Sequence, residues 1–374
     1  MTRKTIMKKV HRIVLKVGSQ VLTAKGRSLH QGVFDRLARE VSAAKKKGYE
    51  VLIVTSGAVA AGMSRLGLTE KPKTIPQKQA AASIGQSARR WNYERAFSFF
   101  EEKVAQVLLT RDDLSNRRRY LNARNTLLTL LSFGVIPIIN ENDTVVVEEI
   151  KFGDNDNLSA LVTSLVNADL LIILSDIEGL YDRDPRLSKN AKLIPLVHQV
   201  TAEMEKKASG TLSPIGSGGM VTKLQAARKA ALCGVPMILA NGAEEGILER
   251  ILRAEDVGTL FTSGMNKLTS RKHWIAFTLE PQGRIIVDDG AKKAILQKGK
   301  SLLPSGVRTA EGEFSLGDPV VLADLQGQNF AKGLANYGSA EINKIKGLKT
   351  TEIKNKLGYK FSDEVIHRDD LVLL

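Results

Sequence analysis

Two lysines far apart in the chain stand beside glycine turns. Lys16 lies in Leu15-Lys16-Val17-Gly18-Ser19, at the end of an apolar run, and Lys223 follows Gly216-Ser217-Gly218-Gly219-Met220-Val221-Thr222 at the head of an amphipathic stretch. A lysine beside such a turn suits an anion. Glycine lets backbone N–H groups reach phosphate oxygens, and a helix start adds its dipole. The second segment has the physics of a P-loop but not its order, because Lys223 follows the hydroxyl residue Thr222 instead of preceding it. No Gly-x-Gly-x-x-Gly turn follows the first apolar run, so a dinucleotide fingerprint is missing. On spacing alone the first segment reads more often as a solvated strand end, whereas the second is the strongest local signal in the chain, with a flexible linker as its bland alternative.

Polar residues cluster in Asn140-Glu141-Asn142-Asp143 and again in Gly153-Asp154-Asn155-Asp156-Asn157. One Asp or Asn is enough to cap a following helix, so these runs leave carboxylates and amides to spare. The twelve-residue calcium loop with its terminal Glu is absent. Ser56-Gly57 opens a helix of small residues, Ala58-Val59-Ala60-Ala61-Gly62. It offers a hydroxyl and unpaired N–H groups to a carboxylate or phosphate, or a simple cap with close packing. Ser175-Asp176 follows another apolar run, and residues 182–186 read as a surface turn. The five histidines are scattered without metal spacing, and the lone Cys233 excludes an intrachain disulfide or a thiolate metal site. The run Arg117-Arg118-Arg119 reads as a solvated helix start or a subunit contact.

These groups need a frame. Apolar β-branched runs at 13–17, 51–55, 105–109, 135–139, 170–174, 236–240 and 259–262 alternate with helical patterns at 31–47, 77–102, 118–133, 157–166 and 219–233. That alternation predicts an α/β fold, a mostly parallel sheet sandwiched by helices, with ligands beyond the carboxyl ends of its strands. After Trp274 short alternating runs broken by glycine predict a small, mostly β domain. The expected division is a first domain over 1–262, a linker over 263–280, the β domain over 281–359 and a tail over 360–374.

The chain has 374 residues, 43% of them hydrophobic, and a formal charge of +15. Its longest apolar stretches, such as 169–176, fall well short of the roughly 18–20 residues of a membrane span. The basic start is interrupted by Lys16 too soon for a secretory signal. The composition reads as a soluble cytoplasmic protein. The positive excess attracts anions in general. Residues 281–374 hold 14 basic and 12 acidic side chains, so the excess does not lie in the β domain, which weakens a nucleic-acid reading of it.

Taken in order, these segments resemble the amino-acid kinase family and, within it, the glutamate-phosphorylating members that carry a C-terminal PUA domain. The resemblance runs from Lys16 to about Tyr359 and is most specific at 54–62, 140–143, 153–160, 179–186 and 216–225. It implies transfer of a phosphoryl group from ATP to the side-chain carboxylate of L-glutamate, the first step of proline biosynthesis. By the same resemblance Lys16 and Lys223 are catalytic and Asp156 orients them. Ser56, Gly57, Asp143, Asp154 and Asn155 bind glutamate. Lys16, Gly18, Ser175, Asp176, Ser217, Gly218, Gly219, Met220, Val221, Thr222 and Lys223 bind ATP. A glutamate carboxylate is already ionised at neutral pH, so no general base is required. Mg2+ is expected to ride chiefly on the nucleotide phosphates, with no protein metal site.

L-Proline is the expected inhibitor, a homo-oligomer the expected assembly, and a transient contact with the next pathway enzyme is compatible with an unstable product. Neither nucleic acid nor membrane is an expected partner. Two readings stay open beside this one: a kinase for aspartate, acetylglutamate or uridine monophosphate, and an RNA-binding role for the PUA domain. Departures from the family pattern are Ser19-Gln20 where Thr-Ser is common and Ser175 where Thr is common. The basic N-terminal dozen lies outside the resemblance and has no functional reading.

Overall fold

The apolar runs of the first part of the chain become strands of one eight-stranded sheet. The computed structural model describes residues 2–24, 28–145, 155–185, 187–188, 190–209, 219–264 and 281–374. The chain divides into two compact units, Met1–Leu114 with Ala123–Met265, and Ser115–Asn122 with Asn266–Leu374. In chain order the elements used below are α1 (Arg3–Met7), β1 (Arg12–Val17), α2 (Ser19–Leu22), β2 (Thr23–Ala24), β3 (Ser28–Leu29), α3 (Gln31–Lys46), β4 (Glu50–Thr55), α4 (Ala58–Leu66), α5 (Ile75–Ser98), β5 (Val104–Leu109), α6 (Arg111–Ser115), α7 (Arg117–Ser132) and β6 (Ile136–Glu141). They continue with α8 (Asn155–Leu165), β7 (Leu170–Ser175), β8 (Leu196–Val197), α9 (Ala202–Ser209), α10 (Met220–Leu232), β9 (Met237–Asn241), α11 (Ile247–Leu252) and β10 (Thr259–Phe261).

The sheet order is β5-β6-β4-β1-β7-β9-β10-β8. Every pair from β5 to β9 is parallel, with Val17 level with both Thr55 and Leu174. The carboxyl ends of β6, β4, β1, β7 and β9 therefore open on one edge, where a sheet of this kind binds ligands. β10 runs antiparallel to β9 and carries β8 with it. The helix between them has only six residues, about 9 Å long.

Side chains alternate across the strands. Ile13, Leu15 and Val17 join a core with Phe34, Leu37 and Val41 of α3 and Tyr93 and Phe97 of α5. Lys16, one residue out of phase, points to the opposite face, where α8 and α10 pack together. The small residues at the start of α4 do serve close packing. A Cβ on Gly62 would lie 1.7 Å from the Ala81 carbonyl oxygen, and one on Gly85 1.8 Å from that of Ala58. The basic N-terminus has a structural task. Ile6, Met7 and Val10 enter the core, and the Arg3 guanidinium donates to the carbonyls of Val257 (2.7 Å), Gly258 (3.0 Å), Pro195 and Glu255 (both 3.2 Å).

The second unit holds a five-stranded sheet, order β12-β11-β13-β14-β15, built from β11 (Gly283–Val287), β12 (Val307–Glu311), β13 (Pro319–Ala323), β14 (Asn329–Leu334) and β15 (Leu371–Leu373). All its pairings are antiparallel except β11 with β13. The stretch 360–374, expected above as a tail, belongs to this unit. β15 pairs with β14, and Val365 and Ile366 are fully buried in the same core as Ile285, Val320 and Tyr337. Val365 and Ile366 follow the polar run Ser362-Asp363-Glu364, which hid them from a reading by local pattern. Of the expected linker, 265–280 lies outside the described residues.

Candidate active site

β1 delivers Lys16, α8 delivers Asp156 from its first turn, and α10 delivers Lys223 from its first turn. The three side chains meet. Lys16 Nζ lies 2.5 Å from Asp156 Oδ1, and Lys223 Nζ 3.3 Å from Asp156 Oδ2. The Thr222 hydroxyl is 2.7 Å from the same Oδ2 and 2.9 Å from the Gly219 carbonyl oxygen. Lys16 and Lys223 are each 6% exposed and Asp156 is 2% exposed, so the cluster is nearly dry. Burial on its own would push the Asp156 carboxyl up. The charges of Lys16 and Lys223, with hydrogen bonds from Lys16 and Thr222, more than reverse this and hold it well below the usual carboxylate range. Two ammonium groups gathered at one point suit an incoming anion.

Around this cluster the strand ends supply smaller groups. The Gly18 N–H bonds the Leu174 carbonyl at 3.0 Å, so this glycine contributes room beside Lys16 and not a free donor. A Cβ there would lie 3.8 Å from Lys16 Nζ, whereas one on Gly219 would meet nothing within 4 Å. Gly57 sits at φ +92° at the head of α4, a conformation that other residues seldom adopt, and it turns the chain from β4 into the helix. Beside it the Ser56 hydroxyl donates to the Val17 carbonyl at 3.2 Å. Ser175, buried at the end of β7, donates to Asp176 Oδ1 at 3.0 Å, and Asp176 itself is exposed. Met220 and Val221 form the first turn of α10 with Thr222.

A second polar region lies at the end of β6. Asn155 Nδ2 donates to Asn140 Oδ1 (3.2 Å), and Asn140 Nδ2 donates to Asp143 Oδ2 (3.3 Å). Asn155 is buried, and its own Oδ1 has no hydrogen-bond partner among the described residues. Such an acceptor calls for a donor beyond the described residues. Asp143 is half-buried at the rim. Lys16, Asp156, Thr222 and Lys223 thus converge on one point, and Asn155, next to Asp156 on α8, links that point to Asp143. The expected contacts of Asp154, Ser217 and Gly218 lie outside the described residues. Sequence reading passed over Gln86 and Arg89, which α5 buries beneath Asp143. Their signal was two polar residues on the helix stripe that also carries Ala82, Gly85 and Tyr93.

Comparison with known proteins gives the family of the chain. Residues 11–241 match the amino acid kinase family and residues 283–357 match the PUA domain. Proteins named glutamate 5-kinase are similar over the whole length. The one from Geobacter metallireducens is 56% identical and that from Geobacter sulfurreducens 55%, each over 372 residues covering all of both chains. That from Caldanaerobacter subterraneus is 52% identical over 97% of this chain and 98% of its own. The chain belongs to the amino acid kinase family and carries a PUA domain.

Proposed function

We propose that this kinase phosphorylates the side-chain carboxylate of L-glutamate with ATP, giving L-glutamyl 5-phosphate, the first step of proline biosynthesis. One observation carries the reading: a buried carboxylate bracketed by two lysines, with a hydrogen-bonded cluster of Asp143, Asn140 and Asn155 next to it at the same sheet edge. The shared name of the full-length relatives supports the choice of acceptor. On this reading Lys16 and Lys223 neutralise charge spread over the transferring phosphoryl oxygens, and Asp156 holds both ammonium groups in register. The Gly219 turn and the first turn of α10, with Ser175 and Asp176, receive the nucleotide; Ser217 and Gly218 extend that segment. Asp143, with Asp154, takes the acceptor's ammonium group, the Asn155 amide oxygen accepts from it, and Ser56 with Gly57 faces an acidic end. The acceptor carboxylate attacks as it stands, so the scheme needs no proton abstraction.

Asp156 is engaged by both lysines, and no group of three His, Cys, Asp or Glu side chains suited to a metal stands together among the described residues. Such a donor set fits Mg2+ held mainly by the nucleotide, where it neutralises phosphate charge. The proposal extends to inhibition by L-proline at or beside the Asp143 cluster, to a homo-oligomer working in the cytoplasm and to a transient contact with the next enzyme. Among the described residues no helix is long and apolar enough to cross a membrane.

Trapping the acyl phosphate with hydroxylamine tests the core of this. Hydroxamate is expected with ATP and glutamate together. A clear preference for aspartate, acetylglutamate or uridine monophosphate in a parallel ADP-release assay refutes it. Glutamate saturation curves that do not move with millimolar proline refute the feedback component alone.

A further inference from the structure

Helix α5 buries two polar side chains one turn apart, Gln86 and Arg89, and the phosphoryl-transfer scheme uses neither. Arg89 is 2% exposed, and Asp143 is the carboxylate whose charge it feels. Its Nη2 donates to Gln86 Oε1 at 3.0 Å, and Gln106 Nε2 donates to the same oxygen at 3.2 Å. A guanidinium has donors and no acceptor, so the orientation of the Gln86 amide is forced, oxygen toward Arg89 and nitrogen away from it. That nitrogen donates to the Glu141 carbonyl at 3.2 Å and to Asp143 Oδ2 at 3.3 Å. From the other side Asn140 reaches the same Oδ2 at 3.3 Å. The Asp143 carboxylate is therefore held between two amides, Asn140 and Gln86, and Arg89 behind Gln86 sets the orientation of the second.

A full charge is an expensive way to orient one amide. Arg89 Nε and Nη1 have no hydrogen-bond partner among the described residues, a cost that packing does not explain. Arg89 also lines, with Tyr93, Gln106 and Asn140, a cavity of about 20 Å³, the room of one water molecule. The geometry points to Arg89 as a positioning residue: acting through Gln86, it fixes the Asp143 carboxylate and thereby the grip on the acceptor's ammonium group. This rests on the reading of Asp143 given above.

Steady-state kinetics of the full chain test it with Arg89→Met, Gln86→Glu, Asp143→Asn and the Arg89→Met/Asp143→Asn pair. Gln86→Glu keeps a partner for Arg89 but turns a carboxylate toward Asp143, so it serves even if Arg89→Met fails to fold. Each of Arg89→Met and Gln86→Glu is expected to raise the glutamate KM roughly tenfold. The kcat and the ATP KM should stay within about twofold. In the Asp143→Asn background Arg89→Met should have little further effect on the glutamate KM, because the group it acts through is already altered. An unchanged glutamate KM in both single variants, with Asp143→Asn raising it, overturns the inference and leaves the acceptor reading intact. A common fall of kcat, both affinities and melting temperature reduces Arg89 to a structural role and also overturns it. An Asp143→Asn enzyme with unaltered glutamate KM refutes the acceptor reading itself.

Discussion

At the Lys16 end of the site one buried carboxylate is gripped by two ammonium groups, whereas at the Asp143 end one carboxylate is held by two neutral amides. The first arrangement uses charge to hold charge. Its geometry survives burial because each ammonium group has a carboxylate partner. The second uses amide dipoles, with the Arg89 charge one step behind them, to fix a carboxylate in place. On the proposed function one end meets phosphate and the other an ammonium group, and α8 carries both Asp156 and Asn155 so that the two stay a fixed distance apart.

The charged end is where the comparison breaks most violently. Asp156→Ala leaves two buried lysines facing each other, and removing one member of a buried ionic cluster costs about 3–5 kcal/mol. Urea unfolding is expected to show that loss together with a collapse of turnover; an unchanged midpoint would mean that the cluster is solvated and loosely held. The same group governs acid stability. Its carboxyl is held below the usual range in the folded chain. The contribution is therefore complete above the unfolded value of about 4 and drains away as the pH falls below it. Melting curves between pH 7 and pH 3 should fall more steeply for the parent than for Asp156→Asn.

Lys16→Ala and Lys223→Ala come next. Loss of one charge-stabilising donor in the transition state removes about 10²–10³ in rate. The glutamate KM should barely move in either, since both lysines sit at the Asp156 end of the site. Asp143→Ala reverses the pattern. A hydrogen bond to a charged group contributes about 1.5–3 kcal/mol, so the glutamate KM should rise on the order of 10- to 100-fold with the smaller change in kcat. Equal losses of rate and affinity in all three variants would erase the distinction between the two ends.

How far this was legible in the sequence differs between the ends as well. The strands around Lys16 are runs of Val, Leu and Ile buried on both faces, and such runs announce themselves; all seven expected positions hold strands. The convergence of Lys16 with Lys223, some two hundred residues apart, came from family resemblance and not from any local pattern. The antiparallel β10 was hidden because its strand reads like the others. The Gln86–Arg89 relay was hidden for another reason. α5 packs against both α3 and α4, so small and apolar residues surround it and no clean polar face sets off the two buried exceptions. Gly62 and Gly85 look like flexible positions in a sequence, yet their use is contact between two helix backbones.

The smallest expected effect concerns a neutral bond beneath both ends. Tyr93, on α5 one turn beyond Arg89, donates its hydroxyl at 3.0 Å to Thr55, the last residue of β4 before Ser56. Burial pushes its pKa up to about 12, with the Thr55 bond and Arg89 acting the other way. The folded chain therefore keeps this proton after the unfolded chain has lost it. The resulting stability is complete below about pH 10 and disappears as the pH climbs from there toward 12. Tyr93→Phe should cost only about 1 kcal/mol at neutral pH, the net worth of one neutral hydrogen bond. It should also flatten the alkaline limb of the stability profile and leave the acid limb, which belongs to Asp156, unchanged. If the acid limb shifted too, the charged and neutral supports of this site would be one coupled network, and the contrast between its two ends would have to be redrawn around Arg89.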